Sequence, residues 1–115
     1  MLVGRHFFKQ DIGGIQMKTF YGGIFINQTK LKEANIYKPI KLEYYKIENE
    51  ENTKEEYGIE VVKTEYIQDN VFVESKRIDK ITDNENVANN VLELFNRNEV
   101  TPVAANEIIE DLFKM

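Results

Sequence analysis

The spacing of apolar positions changes along the chain, and the changes mark out its elements. From Tyr57 to Tyr66 the pattern has a two-residue period. Tyr57, Ile59 and Val61 fall on one side, and Val62, Thr64 and Tyr66 on the other, which predicts a strand. Asp69-Asn70 separates it from a second, short strand, Val71 to Lys76, and predicts a tight hairpin between them. Upstream, Ile40, Leu42 and Tyr44 alternate with Lys41 and Glu43, but Tyr45 and Ile47 switch parity. Such a switch signals either a bulge or a strand covered on both sides. The polar run Glu48 to Glu56 between these segments reads as the loop of an antiparallel hairpin. Phe20, Tyr21, Ile24, Phe25 and Ile26, interrupted by Gly22-Gly23, predict a first strand with a bulge or bend between Lys18 and Asn27. The turn-rich stretch from Asn27 to Lys38 has room for one helical turn at Leu31 to Ala34.

Beyond Ile81 the period lengthens to that of a helix. Val87, Val91, Leu94 and Phe95 form one apolar stripe. Thr82-Asp83-Asn84-Glu85 has capping-box spacing, with Thr82 as the expected cap and Asn96 to Asn98 as the stop. A second helix opens at Thr101-Pro102, where proline's missing N–H costs nothing, and Ile108, Ile109, Leu112 and Phe113 are its expected buried face. The expected class is α+β: a three- to four-stranded antiparallel sheet with a C-terminal helical hairpin packed on one face.

Residues 1–16 differ from the rest. They hold the only histidine, His6, two adjacent phenylalanines and Gly13-Gly14 just before Ile15-Gln16-Met17. Codons for Ile12-Gly13-Gly14 can spell a purine-rich ribosome-binding element at a suitable distance from Met17. Residues 1–16 would then be a translated leader preceding a single domain over 17–115; the alternative is an ordinary N-terminal arm or strand whose glycine pair marks a turn.

Composition narrows the chemistry. At 115 residues the chain supports one core, in a size range where a domain buries roughly 60–70% of its unfolded surface. It has no cysteine, so thiolate nucleophiles, disulfides and zinc-thiolate sites are excluded. No apolar run approaches the ~20 residues that span a bilayer, and a cytoplasmic location is the default expectation. The net charge of −5 lies entirely beyond Ile81, where seven acidic residues face only Arg97 and Lys114. An acidic helical surface repels nucleic acid, keeps a protein soluble and suits a basic protein partner.

No catalytic constellation emerges. Without residues 1–16 there is no histidine, and the single serine, Ser75, sits between Glu74 and Lys76 with no base in view. Gly22-Gly23 lacks phosphate-loop spacing. Glu107, Glu110 and Asp111, and the group Glu50, Glu51, Glu55 and Glu56, are concentrated enough for a hard cation, but no calcium-loop pattern accompanies them; they read as solvated faces, and neither metal nor cofactor is expected. Three functional readings remain. The first is a regulatory or adaptor module that binds a protein partner through its acidic helices (Glu107, Glu110, Asp111) or an exposed sheet edge. The second is a ligand-binding or enzymatic domain with a pocket lined by Tyr44, Tyr57 and Tyr66 between sheet and helices, although aromatic pairs mostly stabilise sheets. The third is nucleic-acid binding, which requires Lys38, Lys41, Lys46, Lys63, Lys76 and Arg77 to share one face. A homodimer through an edge strand or the Phe95/Phe113 region is a further expectation.

Six segments together suggest kinship: Tyr57-Gly58-Ile59-Glu60-Val61, Glu65-Tyr66, Ile78 to Thr82, Val91-Leu92-Glu93-Leu94, Asn98-Glu99-Val100-Thr101-Pro102 and Glu110-Asp111-Leu112. They resemble a family of short clostridial proteins known mainly as a domain of unknown function. The likeness covers about the last sixty residues, and its most specific part is the Asn-x-Val-Thr-Pro helix entry. That family often carries a bulkier pair including histidine shortly after the proline, where this chain has Ala104 and Ala105. The resemblance implies a bacterial cytoplasmic setting and no activity, cofactor or catalytic residue.

Overall fold

The computed structural model describes residues 5–9, 15–26, 39–51 and 54–114. Five strands, β1 (Arg5–Lys9), β2 (Ile15–Ile26), β3 (Ile40–Glu51), β4 (Lys54–Ile67) and β5 (Asn70–Thr82), precede helices α1 (Glu85–Arg97) and α2 (Pro102–Phe113). Each strand pairs antiparallel with the next in chain order, so the sheet is a meander with β1 and β5 at its edges. The α+β class and the C-terminal helices on one face are as expected. The sheet also includes β1, which lies within residues 1–16 and pairs Arg5 with Thr19 through Lys9 with Ile15.

The register separates the two faces. Tyr44 opposes Val61, Lys46 opposes Ile59 and Leu42 opposes Lys63, so these share the face that the helices cover. Leu42, Tyr44, Ile59 and Val61 form one buried cluster with Val91, Leu92 and Phe95 of α1, Val100 of the connection, and Ala105 and Ile109 of α2. Ile47 is equally buried but pairs with Lys18 and Gly58 on the opposite face. The β3–β4 register is continuous there. The parity switch therefore reports the burial of Ile47 on the second face rather than a bulge in β3, while the bulge lies across the sheet in β2, where Tyr21 is the extra residue between the Phe20–Tyr45 and Gly22–Tyr44 pairs. Gly22 lets α1 come close: a β-carbon there would lie 3.1 Å from Asn96 Nδ2.

Several boundaries move from their sequence positions. The supposed Glu48–Glu56 loop is mostly strand, with Glu48 opposite Tyr57, Glu50 opposite Glu55 and Glu51 opposite Lys54. A polar hairpin end has no apolar alternation to reveal it, so composition alone suggested a loop. The β4–β5 turn is Gln68-Asp69 rather than Asp69-Asn70; Gln68 takes a φ of 55°, the positive value that tight hairpins favour at this corner. The α1 cap is Asn84, not Thr82: Asn84 Oδ1 accepts from Asn86 N and Val87 N, while Thr82 Oγ1 accepts from Asn84 N. Thr101 stands at the α2 cap position with Pro102 following, though its side chain makes no capping bond. The α2 core face is Pro102, Ala105 and Ile109, with Ile108 and Phe113 partly buried, whereas Leu112 is 48% exposed. The Leu31–Ala34 turn lies outside the described residues.

A second irregularity joins sheet to helices. In β5, Asp79, Lys80 and Ile81 oppose Gly58 alone, because the register jumps between the Ile59–Ile78 and Tyr57–Thr82 pairs. A β-carbon on Gly58 would lie 2.2 Å from Ile78 O, so only glycine fits beneath this bulge. Lys80 takes a φ of 54° within it. At the far end of α1, Glu99 in the left-handed region (φ 53°) closes a Schellman motif, with Val100 N donating to Phe95 O (3.0 Å) and Glu99 N to Asn96 O (3.4 Å).

Candidate interaction surface

Tyr44, Tyr57 and Tyr66 do not line a common pocket. Tyr44 is fully buried in the core, and its hydroxyl donates to Val100 O at 2.8 Å. Burial, and secondarily the charge of Glu99, pushes this hydroxyl well above the usual tyrosine range. Tyr57 is also buried and donates to Glu55 Oε2 at 2.7 Å; that bond, then burial, raises its pKa. Tyr66 pairs with Val71 on the helix-free face, its ring 6.2 Å from Phe25. Alternation along β4 separates Tyr57 from Tyr66 by an odd number of residues, so the two must face opposite ways. The expected pocket would join rings that the strand parity places on opposite faces of the sheet.

The acidic candidates are on the surface. Glu107, Glu110 and Asp111 are all exposed on α2, where Asn106 Nδ2 donates to Glu110 Oε2 at 3.4 Å. Among the described residues no three His, Cys, Asp or Glu side chains converge in a way that could hold a metal ion.

The basic residues are divided by the same register. Lys46, Lys63 and Lys76 belong to the helix-covered face, Lys41 and Arg77 to the other, and Lys38 lies outside the described residues. Most also sit against carboxylates: Lys46 binds Glu85 and Glu48, Lys63 binds Glu74 (3.2 Å) and Glu65 (3.6 Å), and Arg77 Nε lies 2.9 Å from Asp79 Oδ1. They form no common strip for a phosphate backbone. Phe95 is fully buried, which removes it from any dimer contact.

Among the described residues two sheet surfaces each gather several exposed apolar side chains. On the helix-free face Phe20 meets Tyr45 edge to face (5.6 Å between ring centroids), Lys18 Nζ stands 4.3 Å from the Tyr45 ring centroid, and Phe25 is exposed nearby. Burial, with the Glu43 and Glu60 carboxylates and the hydrogen bond to Glu43, pushes the Tyr45 hydroxyl up to about 12. The second surface is the β5 edge. All residues from Asn70 to Arg77 are exposed, and Val71, Phe72 and Val73 keep 59%, 53% and 66% of their area in solvent. Among the described residues only β4 pairs with β5, which leaves the outer backbone groups of β5 without a strand partner there. Beside this edge a shallow groove of about 290 Å³ is lined by Glu74, Ser75, Lys76, Pro102, Val103 and Asn106. The sequence held a signal for this edge. Three consecutive apolar residues without alternation belong either in the middle of a sheet or at an unfinished edge, and β5 is the last strand of a meander.

No helix among the described residues is long and apolar enough to cross a membrane. The model of a family of unknown function, DUF6514, matches residues 23–115. No curated protein and no solved structure matches the chain.

Proposed function

With the chain a member of the DUF6514 family of unknown function, we propose that it is a non-catalytic regulatory or adaptor module of the bacterial cytoplasm that binds a protein partner by adding an extended segment to β5. The observation that carries this reading is the unpaired β5 edge with Val71, Phe72 and Val73 exposed. An edge strand supplies backbone hydrogen bonds to an incoming strand, and the adjoining side chains supply selectivity. The groove between β5 and α2 gives such a segment a second wall, formed by Pro102, Val103 and Asn106. Asn106 in that wall donates to Glu110 Oε2, and the exposed Glu107, Glu110 and Asp111 of the same helix favour a partner of basic character.

The test is affinity capture from native cytosol at moderate salt, with three baits: the unaltered protein, a Phe72→Lys/Val73→Lys edge variant, and a Glu107→Lys/Glu110→Lys/Asp111→Lys helix variant. The expected result is a stoichiometric protein partner lost with the edge variant and weakened with the helix variant. Equal recovery with the edge variant, or no partner above background, would refute strand addition.

A further inference from the structure

We propose that one occupant of the β5 edge is a second copy of the same chain, paired antiparallel about a two-fold axis through Ser75. This rests on the reading of β5 as an open edge and specifies what closes it.

Symmetry limits the choices. Two identical antiparallel strands joined by a closed two-fold place one residue opposite its own copy, and every other pair occurs twice. Centring on Glu74, Lys76 or Arg77 sets like charges directly against each other, which is destabilising. Centring on Phe72 or Val73 leaves Glu74 and Lys76 without opposite-charge partners across the axis. Centring on Ser75 sets Glu74 against the partner's Lys76 and Lys76 against the partner's Glu74. The same register pairs Phe72 with the partner's Ile78 and Val73 with the partner's Arg77. It uses only the stretch of β5 that keeps continuous register with β4, ending before the bulge at Asp79.

The surroundings agree with this register. Glu74 and Lys76 share the helix-covered face, as their pairing with Lys63 and Val61 shows. The groove at Glu74, Ser75 and Lys76 is therefore where the axis emerges, next to the first turn of α2. Val103 in that turn is 76% exposed, and the axis brings the two Val103-bearing turns toward each other on the same side of the joined sheets. Glu74 is held by Lys63 within its own chain, whereas Lys76 has no ion pair among the described residues and is free to meet the partner's Glu74. The product is a continuous ten-stranded sheet in which both β5 edges are paired.

The absence of cysteine makes a direct test available. A Ser75→Cys variant places two thiols across the axis, within the separation a disulfide needs in an antiparallel pair. A Val73→Cys variant places them four residues apart along the strand, about 14 Å, too far to join. Under mild oxidation the first is expected to form a covalent dimer and the second to remain monomeric. Sedimentation across a concentration series is expected to show a reversible dimer of the unaltered protein. Glu74→Lys and Lys76→Glu should each raise its dissociation constant by roughly tenfold or more, and an equimolar mixture of the two should restore association, because the swapped charges again meet their opposites. Circular dichroism of each variant confirms that its fold is intact. A protein that stays monomeric at all concentrations, equal cross-linking by both cysteine variants, or failure of the mixture to recover would overturn the inference. A monomer that still captures a partner through β5 refutes self-pairing and leaves the adaptor reading in place. A dimer that captures nothing does the reverse.

Discussion

Replacing Tyr44 by Phe removes one oxygen and tests how the helices are fastened to the sheet. The hydroxyl is fully buried and donates to Val100 O at 2.8 Å, and Val100 itself is only 6% exposed. Without the donor, the Val100 carbonyl stays in an apolar interior with no water to replace the bond. Orphaning a buried group in this way costs about 1–3 kcal/mol. A central value of about 2 kcal/mol compares with roughly 6–17 kcal/mol of total stability for a chain of this length. It corresponds to a loss of about 8 °C in Tm, or about 1 M in urea midpoint for an m-value of about 2 kcal/mol/M. Urea unfolding followed by circular dichroism is the assay, with Tyr45→Phe as control. Tyr45 bonds Glu43 at a half-buried position where water can substitute, so its loss should cost less than about 1 kcal/mol. Alkaline titration gives an independent readout. The Tyr44 pKa is raised in the folded state, so its contribution is complete below the unfolded value near 10 and declines as pH rises toward the folded value. The unaltered protein should lose stability above about pH 10, and the Tyr44→Phe variant should lose it less steeply, by up to ~1.4 kcal/mol per pH unit. A change below about 0.5 kcal/mol at neutral pH, with an alkaline slope unchanged by the substitution, would refute the latch.

Other substitutions test the irregular positions. Gly58→Ala must force a β-carbon against Ile78 O, and thermal melting should show a loss of about 3 kcal/mol or failure to fold. Asn84→Ala should cost about 1 kcal/mol in urea unfolding because Asn84 Oδ1 satisfies two helix-start amides, and a larger loss from Thr82→Ala would reverse the cap assignment. Glu99→Gly should stabilise the protein by about 0.5–1 kcal/mol in the same assay, since glycine reaches the left-handed conformation of the Schellman motif without strain.

What was legible in the sequence followed from periodicity. Ile40, Leu42 and Tyr44, then Tyr57, Ile59 and Val61, identified the sheet's buried face because alternation survives any detail of register. The Val91–Phe95 stripe and Pro102 placed both helices. The misplaced features depend on local geometry that periodicity does not encode. Thr82 and Asn84 are both good caps, and the choice between them follows from where the β5 bulge releases the chain. Leu112 lies on the same stripe as Ala105 and Ile109, but it sits in the last turn of α2 and stays 48% exposed; periodicity gives the face of a helix and not how far along the helix that face is covered. The proposed tyrosine pocket needed the parity of three strand positions to be tracked to a common face. An exposed sheet edge was among the expectations, but the run Val71-Phe72-Val73 fits either the middle of a sheet or an edge, and which of the two it is depends on which strand ends the sheet, a property of the whole topology.

The meander order also governs the sequence of events in folding. Every strand pairs with its immediate successor, so most of the sheet forms by closing short loops, at little entropic cost. The Tyr44–Val100 bond instead spans 56 residues and requires both β3 and the finished end of α1. It belongs to the last stage of assembly, when preformed hairpins receive the helices. Tyr44→Phe should therefore accelerate unfolding while leaving the refolding rate almost unchanged, and the helices, more than the sheet, set how long the native state persists.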